Sequence, residues 1–257
     1  MIEKISTNCT YKIGPQIRRF ELNELWLKGI LKFTKQQIAT FIAILFHFCG
    51  VVGILFTPYK DWFVQNTPLN LSLMVALLIW TQPQKTNSFF IFLCIVFLMG
   101  MGTEMIGVNT GRLFGSYHYG KLMGIKLNGV PWLIGLNWFV VIFSSAAVMQ
   151  QFHQWSRKKL ADTDLELPNW IATVSLLVDG AILATFFDWL MEPVAMKLGF
   201  WNWKNEEIPL FNYVCWFLIS FFLLWVFNKF RIIQTNQFGV HLFIIQVLFF
   251  MALRIYL

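Results

Sequence analysis

Charged residues are scarce in this chain. Asp, Glu, Lys and Arg make up 13% of its 257 residues, whereas 57% of the residues are hydrophobic. An average soluble domain carries about twice that share of charge. The sequence therefore predicts a protein of the lipid bilayer, and its net charge of +7 indicates contact with anionic lipid rather than with nucleic acid.

Cysteine and histidine are also few, with four of each. No two cysteines have CxxC spacing, and the histidines His47, His118, His153 and His241 are scattered along the chain. Zinc and iron sites need clustered thiolate, imidazole or carboxylate ligands. The pattern therefore predicts neither a disulfide framework nor a metal site, and His47, inside an apolar run, is expected to be a packing residue.

Long apolar runs dominate what is present. Seven of them can be distinguished, most near the ~20 residues that an α-helix needs to cross a bilayer. Backbone exposed to lipid must satisfy its own hydrogen bonds, so the sequence predicts an all-α polytopic membrane bundle of about seven transmembrane helices, the second of them short. The runs cover residues 38–57, 66–81, 87–108, 131–150, 170–191, 208–227 and 238–255.

The first 37 residues have a different character. They are polar and strongly basic, without the short apolar core and cleavage site of a signal peptide. Leu22 and Trp26 fall at helical spacing opposite Lys28, which predicts an amphipathic helix in the headgroup plane. We therefore expect a basic tail, 1–37, followed by one transmembrane domain, 38–257.

The distribution of Lys and Arg predicts the orientation. Thirteen of them fall on the side of the N-terminal tail and seven on the other side. The positive-inside rule then predicts a cytoplasmic N-terminus in a bacterial inner (cell) membrane. In either orientation the loops after helices 1, 3 and 5 emerge on the same face; these loops are 57–63, 109–120 and 192–203.

Four acidic residues lie within or at the ends of apolar runs: Glu104 in the third, and Asp179, Asp188 and Glu192 in the fifth. Ionisable groups at membrane depth are costly and commonly functional. Asp188 and Glu192 are four residues apart, so they share a helix face about 6 Å apart along the axis. Asp179 falls on the opposite face, about 13 Å deeper.

The unusual residues also have purely structural interpretations. Tyr117, His118 and Tyr119 in the stretch FGSYHY would be interfacial aromatics, as would Trp201 and Trp203. In a shared pocket, however, indole faces would stabilise a cation. The acids, in turn, would form interfacial ion pairs with basic loop residues. Those basic residues are Arg112, Lys121 and Lys197.

Four segments together resemble the membrane-integral carotenoid hydratase family: TPLNL, EMIGVNTGRLFGSYHYGKLMGIKLNGVPW, DWLMEPVAMKLGFWNW and PLFNYVCW. The resemblance extends from about His47 to Trp216. It implies a hydro-lyase that adds water, without a cofactor, to the terminal C1–C2 double bond of an acyclic carotenoid end, giving a tertiary alcohol. Its implied partners are the carotenoid, membrane lipid and other enzymes of carotenoid biosynthesis.

That chemistry requires an acid to protonate C2 and a base to direct water to C1. The resemblance implies that Glu104 and Asp188 supply these two functions, in an order that the sequence leaves open, and that Glu192 assists them. The expected substrate-binding and water-binding residues are Asn109, Tyr117, His118, Tyr119, Trp201 and Trp203.

Two other functions remain open. A membrane-embedded prenyltransferase normally holds magnesium and a diphosphate on two aspartate-rich clusters, and this chain offers only DWLME. Transporters often show internal repeats and helices broken at the midplane, which the sequence does not display. A prenyltransferase and a non-enzymatic transporter or structural membrane protein are therefore the alternatives to the hydratase.

Overall fold

The computed structural model describes residues 33–161, 168–232 and 235–257. The amphipathic helix expected in the N-terminal tail lies outside these residues. The chain divides into a short unit, Met1–Thr34, and a larger one, Lys35–Leu257. The larger unit is the one described below.

Six described helices are long and apolar enough to cross a membrane, which confirms an all-α polytopic bundle. Each has at least 20 residues, or about 30 Å of helix, which matches the hydrocarbon thickness of a bilayer. They are α1 (Lys35–Phe56), α4 (Asn87–Thr110), α5 (Leu133–Leu160), α6 (Asn169–Lys197), α7 (Leu210–Lys229) and α8 (Gln237–Tyr256).

The second apolar run forms a shorter helix than a full span requires. After the six-residue helix α2 (Lys60–Gln65), α3 (Thr67–Thr81) has 15 residues, or about 22 Å. Pro68 in its first turn is tolerated because the first backbone N–H groups of a helix have no intrahelical acceptor. The bundle therefore combines six long helices with one short one.

Helix α5 is the centre of the bundle. Of its most apolar 18 residues 78% are buried, against 28% to 44% in the other five long helices. Trp138, Phe139 and Phe143 are fully or almost fully buried. The small residues of its SSAA segment, 144–147, let neighbouring helices approach closely. A helix surrounded by other helices needs no polar face, and α5 is predominantly apolar as far as Met149, after which its C-terminal third becomes polar and then basic.

Helix α6 continues through Pro193 to Lys197, further than the apolar run indicates. Proline has no N–H to donate to the carbonyl four residues earlier, which here belongs to Trp189. Nη1 of Arg254, on α8, donates to that carbonyl at 2.6 Å, and the guanidinium lies 3.8 Å from the centre of the Trp189 ring. Arg254 thus satisfies the acceptor that Pro193 leaves unpaired.

Two short antiparallel pairs of strands lie in the loops. Strand β1 (Tyr117–Tyr119), after α4, pairs with β4 (Trp201–Trp203), after α6. Tyr117 lies opposite Trp203, and Tyr119 opposite Trp201. The other pair is the hairpin β2 (Lys126–Leu127) and β3 (Val130–Pro131). The β1–β4 pairing confirms that these two loops emerge on the same face.

Candidate active site

Glu104 lies in the last third of α4, and its carboxyl accepts hydrogen bonds from three neutral side chains. The hydroxyl of Tyr117 donates to Oε2, as does that of Tyr119 at 2.8 Å. The indole N–H of Trp138 donates to Oε1 at 3.0 Å. Because all three groups are donors, they stabilise this carboxyl as an anion.

Two glycines of α4 permit this arrangement. A Cβ on Gly100, one turn before Glu104, would lie 2.6 Å from the Trp138 ring. A Cβ on Gly107, almost one turn after it, would lie 2.8 Å from the Tyr117 hydroxyl. Real Cβ atoms do not approach other atoms so closely, so both positions need glycine for the donors to reach Glu104.

The loop after α4 turns sharply to bring β1 back over the bundle. The helix ends at Gly111, which has the left-handed backbone conformation. Helices commonly end at a glycine in this conformation. Phe114 is also left-handed, with φ of 63°, although it is not glycine. Its ring is buried, and its N–H donates to Sγ of Cys215 on α7 at 3.4 Å. These contacts fix the conformation that directs Tyr117 toward Glu104.

Glu192 is held by the two tryptophans of β4. The indole N–H of Trp201 donates to Oε2 at 2.8 Å and that of Trp203 donates to the same oxygen at 2.6 Å. No residue in the described ranges donates to its other oxygen, Oε1. Both indoles are buried, so the tryptophans serve as hydrogen-bond donors inside the protein rather than as an aromatic belt facing lipid.

Asp188, one turn before Glu192 on α6, is fully buried. Nδ2 of Asn212, in the first turn of α7, donates to its Oδ2 at 2.8 Å. Oδ1 is buried and has no hydrogen-bond partner among the described residues. A buried carboxylate oxygen without a donor is costly, whereas a protonated one is neutral. This oxygen is therefore the natural position for a transferable proton.

The three carboxyls line one small cavity of about 20 Å³, between the ends of α4 and α6. A cavity needs roughly 10–15 Å³ to hold one water molecule, so this one accommodates a single water. Aromatic rings form most of the remaining wall, including Trp216, which stacks on Trp138 at 3.9 Å.

A second, more apolar cavity of about 90 Å³ adjoins the first. Its wall comes mainly from α1, α3, α5, α6 and α8. Leu71, Met74 and Ala195 are among its apolar members, and His47, Asn70 and Gln246 among its polar ones. Nδ1 of His47 is held by the Ala43 carbonyl at 2.8 Å, and its ring packs edge-on against Phe249. His47 therefore packs as part of the wall.

Burial raises the pKa of both tyrosines that donate to Glu104, which lie in β1 outside the membrane-spanning helices. For Tyr117 and Tyr119 alike, desolvation is the larger cause, and the negative charge of Glu104 adds to it. A raised pKa keeps the phenols protonated, and only a protonated phenol can donate to a carboxylate. The hydroxyls are therefore hydrogen-bond donors at neutral pH.

Three acidic or polar residues singled out in the sequence lie away from the small cavity that the three carboxyls line. His118 is exposed on the other face of β1. The side chain of Asn109 donates to the carbonyls of Met105 and Asn128, at 2.8 and 2.9 Å, and so stabilises the loop. Asp179 is exposed on α6 and accepts a hydrogen bond from Ser175.

The basic loop residues considered as ion-pair partners are exposed: Arg112, Lys121 and Lys197. The donors to Glu104, Asp188 and Glu192 are instead phenol, indole and amide groups. The observed geometry is that of a buried cluster of carboxyls, not of interfacial ion pairs. In the part of the chain that the structure describes, no three His, Cys, Asp or Glu residues are arranged to hold a metal ion.

Sequence reasoning missed several residues that line or support the site, four of them with amide or indole side chains. Trp138 and Asn137 follow one another in α5, and Asn212 and Trp216 lie on α7. Nothing in a single apolar run distinguishes these residues from ordinary core.

Comparisons with known proteins agree with the resemblance seen in the sequence. The model of a family described as "Carotenoid biosynthesis protein" matches residues 66–257. A bisanhydrobacterioruberin hydratase from Haloarcula japonica is 27% identical over 125 residues, which are 47% of this chain and 38% of that protein. The match thus spans less than half of the relative's length. No solved structure matches the chain.

Proposed function

Because the chain belongs to the carotenoid biosynthesis protein family, we propose that it is a carotenoid hydratase that adds water to the terminal C1–C2 double bond of an acyclic carotenoid end. One observation carries the proposal: three buried carboxyls surround a cavity with room for one water, beside an apolar cavity. The hydratase relative supports the reaction class. The product is the tertiary alcohol, and every atom of water is retained in it.

The first step is protonation of C2, for which Asp188 is the acid. Its Oδ2 is held by Asn212, which leaves Oδ1 to carry the proton. Transfer of that proton to C2 uses the π electrons of the double bond and leaves a tertiary cation at C1. Burial favours this role, because a neutral carboxyl is the stable form in a site removed from bulk water.

The second step is attack of water on C1, for which Glu192 is the base. Two indoles fix its Oε2, so Oε1 can accept a proton from the attacking water. Asp188 and Glu192 lie one turn apart on α6, about 6 Å along the axis, so both reach adjacent carbons with a water between. After turnover the proton passes from Glu192 back to Asp188.

Glu104 supplies a fixed negative charge opposite α6. Its three donors all favour the anionic form of the carboxyl and occupy both of its oxygens, which suits a countercharge better than a base. A preorganised charge beside the developing cation lowers the barrier without reorganisation during the reaction. The indole faces of the wall add to the same effect.

Isotope labelling tests the proposal. The chain is produced in a host that makes lycopene, and its membranes are incubated either with heavy-oxygen water or with heavy molecular oxygen. We expect a more polar pigment whose hydroxyl carries the label from water. Label from molecular oxygen would make the protein an oxygenase. A requirement for magnesium with release of diphosphate would favour a prenyltransferase, and the absence of any new pigment would favour a non-enzymatic role.

A further inference from the structure

The carboxyl cavity and the apolar cavity are adjacent and share part of their wall. Four residues line both: Ile134, Asn137, Met191 and Trp201. Nδ2 of Asn137 lies 3.9 Å from Sδ of Met191, a weak acceptor. This pair therefore marks the boundary between a small cavity lined by acids and a larger one lined mainly by apolar side chains.

The two cavities differ in size and can therefore hold different molecules. About 20 Å³ accommodates one water molecule, with no further room for a hydrocarbon chain. The reaction nevertheless requires a carbon–carbon double bond next to the acids. The hydrocarbon must then lie on the other side of the boundary, where about 90 Å³ is available.

We propose that the apolar cavity binds the acyclic hydrocarbon end of a polyene, with its terminal double bond at the Asn137–Met191 boundary. This inference rests on the proposed hydratase function and names the substrate subsite of that reaction. It assigns a ligand to residues of α1, α3 and α8, which lie outside the carboxyl cluster.

The wall suits a conjugated chain. Methionine side chains, Met74, Met123 and Met191, offer polarizable sulfur that adapts to an irregular shape and packs against π systems. The rings of Phe249 and Phe250 provide aromatic edges and faces. A saturated acyl chain would fill the same volume without using these contacts, and it carries no terminal double bond for the acids to protonate.

Filling the cavity provides the test. Ala195 is almost fully buried and lines the apolar cavity but not the carboxyl cavity, so Ala195→Leu extends a side chain into the proposed subsite. Misplacing a substrate by about 1 Å costs on the order of 10²-fold in rate. We expect hydration of lycopene in membranes to fall by at least about tenfold, and the purified variant to retain less lycopene.

The chain offers matched controls. Ala76→Leu makes the same change on the exposed face of α3 and should leave hydration unchanged. Leu71→Trp is a second filling variant on another wall of the cavity, and Leu69→Trp is its control, at a side chain 65% exposed. Met74→Ala, introduced into the Ala195→Leu chain, removes volume from the same cavity and should recover part of the lost activity.

The outcomes separate this inference from the proposed function. If the wild-type chain makes no hydrated pigment in the same membranes, the proposed function fails. If the wild type is active and both filling variants, folded as judged by thermal unfolding, hydrate lycopene as fast as their controls, the subsite assignment is wrong. Loss of bound phospholipid from the filled variants at normal hydration rates would identify a lipid acyl chain as the occupant and would also overturn it.

Discussion

Tyr117 and Trp203 lie directly opposite each other across β1 and β4, with their rings 4.8 Å apart. Their polar ends reach different helices: the Tyr117 hydroxyl donates to Glu104 on α4, and the Trp203 indole donates to Glu192 on α6. One pair of strand residues thus sets the position of two carboxyls from separate helices. The pairing of β1 with β4 therefore defines the geometry of the site in a bundle that is otherwise almost entirely helical.

Alkaline titration should reveal the buried phenols. Since the pKa of Tyr117 and Tyr119 is raised above the ordinary value of about 10, neither should ionise with the exposed tyrosines. A raised folded-state pKa means that their contribution to stability is complete below the unfolded pKa and is lost as pH rises toward the folded one. Phenolate absorbance of the folded protein should therefore lack the contributions of Tyr117 and Tyr119 until it unfolds.

The control for this titration is the double variant Tyr117→Phe, Tyr119→Phe. It should show the same phenolate signal as the wild type while folded and a smaller signal after denaturation. Its unfolding should also depend less on pH above about 10. Ionisation of all the wild-type tyrosines together, before unfolding, would contradict the burial of these two phenols.

A single methyl group on α4 should disturb the site without touching a carboxyl. In Gly107→Ala the new Cβ would lie 2.8 Å from the Tyr117 hydroxyl and 2.9 Å from the Phe114 ring, so Tyr117 must move away from Glu104. We expect hydration to fall by at least about tenfold, since a displacement near 1 Å costs on the order of 10²-fold. Pigment analysis of membranes from cells that produce the variant measures this loss of hydration.

Gly102→Ala is the matched control, one and a half turns earlier on the same helix. A Cβ there meets no atom within 4 Å, and alanine favours a helix over glycine by about 1 kcal/mol. This variant should be as active as the wild type and no less stable. Equal activity of the two alanine variants would show that the approach of Tyr117 to α4 does not matter for turnover.

The hydrogen bond from Arg254 to the carbonyl of Trp189 should contribute to stability because Pro193 cannot supply it. Arg254→Met removes this donor, at a cost of about 0.5–1.5 kcal/mol for one hydrogen bond at an exposed position. The expected result is a lower unfolding temperature in detergent. Lys229→Met removes a cation that lies 5.5 Å from the Trp225 ring, and it should have a much smaller effect.

A second substitution makes this prediction specific. Pro193→Ala restores a backbone N–H that can donate to the Trp189 carbonyl. Introduced into the Arg254→Met chain, it should recover much of the lost stability. If it recovers none, Arg254 stabilises the bundle through its contact with the Trp189 ring alone.

The sequence predicted the bundle because spanning helices are encoded locally, in runs of about 20 apolar residues. It also predicted that the loops holding Tyr117 and Trp203 share a face, since that follows from counting helices. The strand pairing between them could not be predicted, because three-residue strands have no periodicity of their own. The ends of α5 and α6 were not predicted for a related reason. Helix α5 continues into a basic turn and α6 continues through Pro193, because tertiary contacts override the local sequence signals.

The candidate site, like the fold, could be predicted only in part from the sequence. Glu104, Asp188 and Glu192 stand out in the sequence because charge inside an apolar run is costly. Their partners Trp138 and Asn212 do not stand out, since an indole or an amide in such a run is unremarkable until its neighbours are known. Asn109 and His118 belong to the same stretch of sequence as Tyr117 but point to the loop and to the surface. Their expected contact with substrate stays a prediction.

The carboxyls provide the most direct test of the mechanism. Asp188→Asn keeps the size of the side chain but removes the transferable proton, and Glu192→Gln removes the proposed base. Each should reduce hydration by about 10²–10⁴-fold, the range for loss of a general acid or base, with little change in the amount of protein in the membrane. Glu104→Gln removes the countercharge and places an amide N–H₂ among donors, so it should reduce both activity and stability.

Asp179→Asn is the internal control for these variants, because Asp179 is exposed on another face of α6 and accepts its hydrogen bond from Ser175. It should retain near-normal hydration in the same pigment assay. Hydrogen exchange with heavy water separates the two steps. Glu192→Gln keeps the proposed acid, so reversible protonation should still incorporate deuterium at C2 of the carotenoid. Asp188→Asn lacks that acid and should incorporate none. If Asp179→Asn abolishes turnover while Asp188→Asn and Glu192→Gln remain active, the reaction does not take place at the ends of α4 and α6.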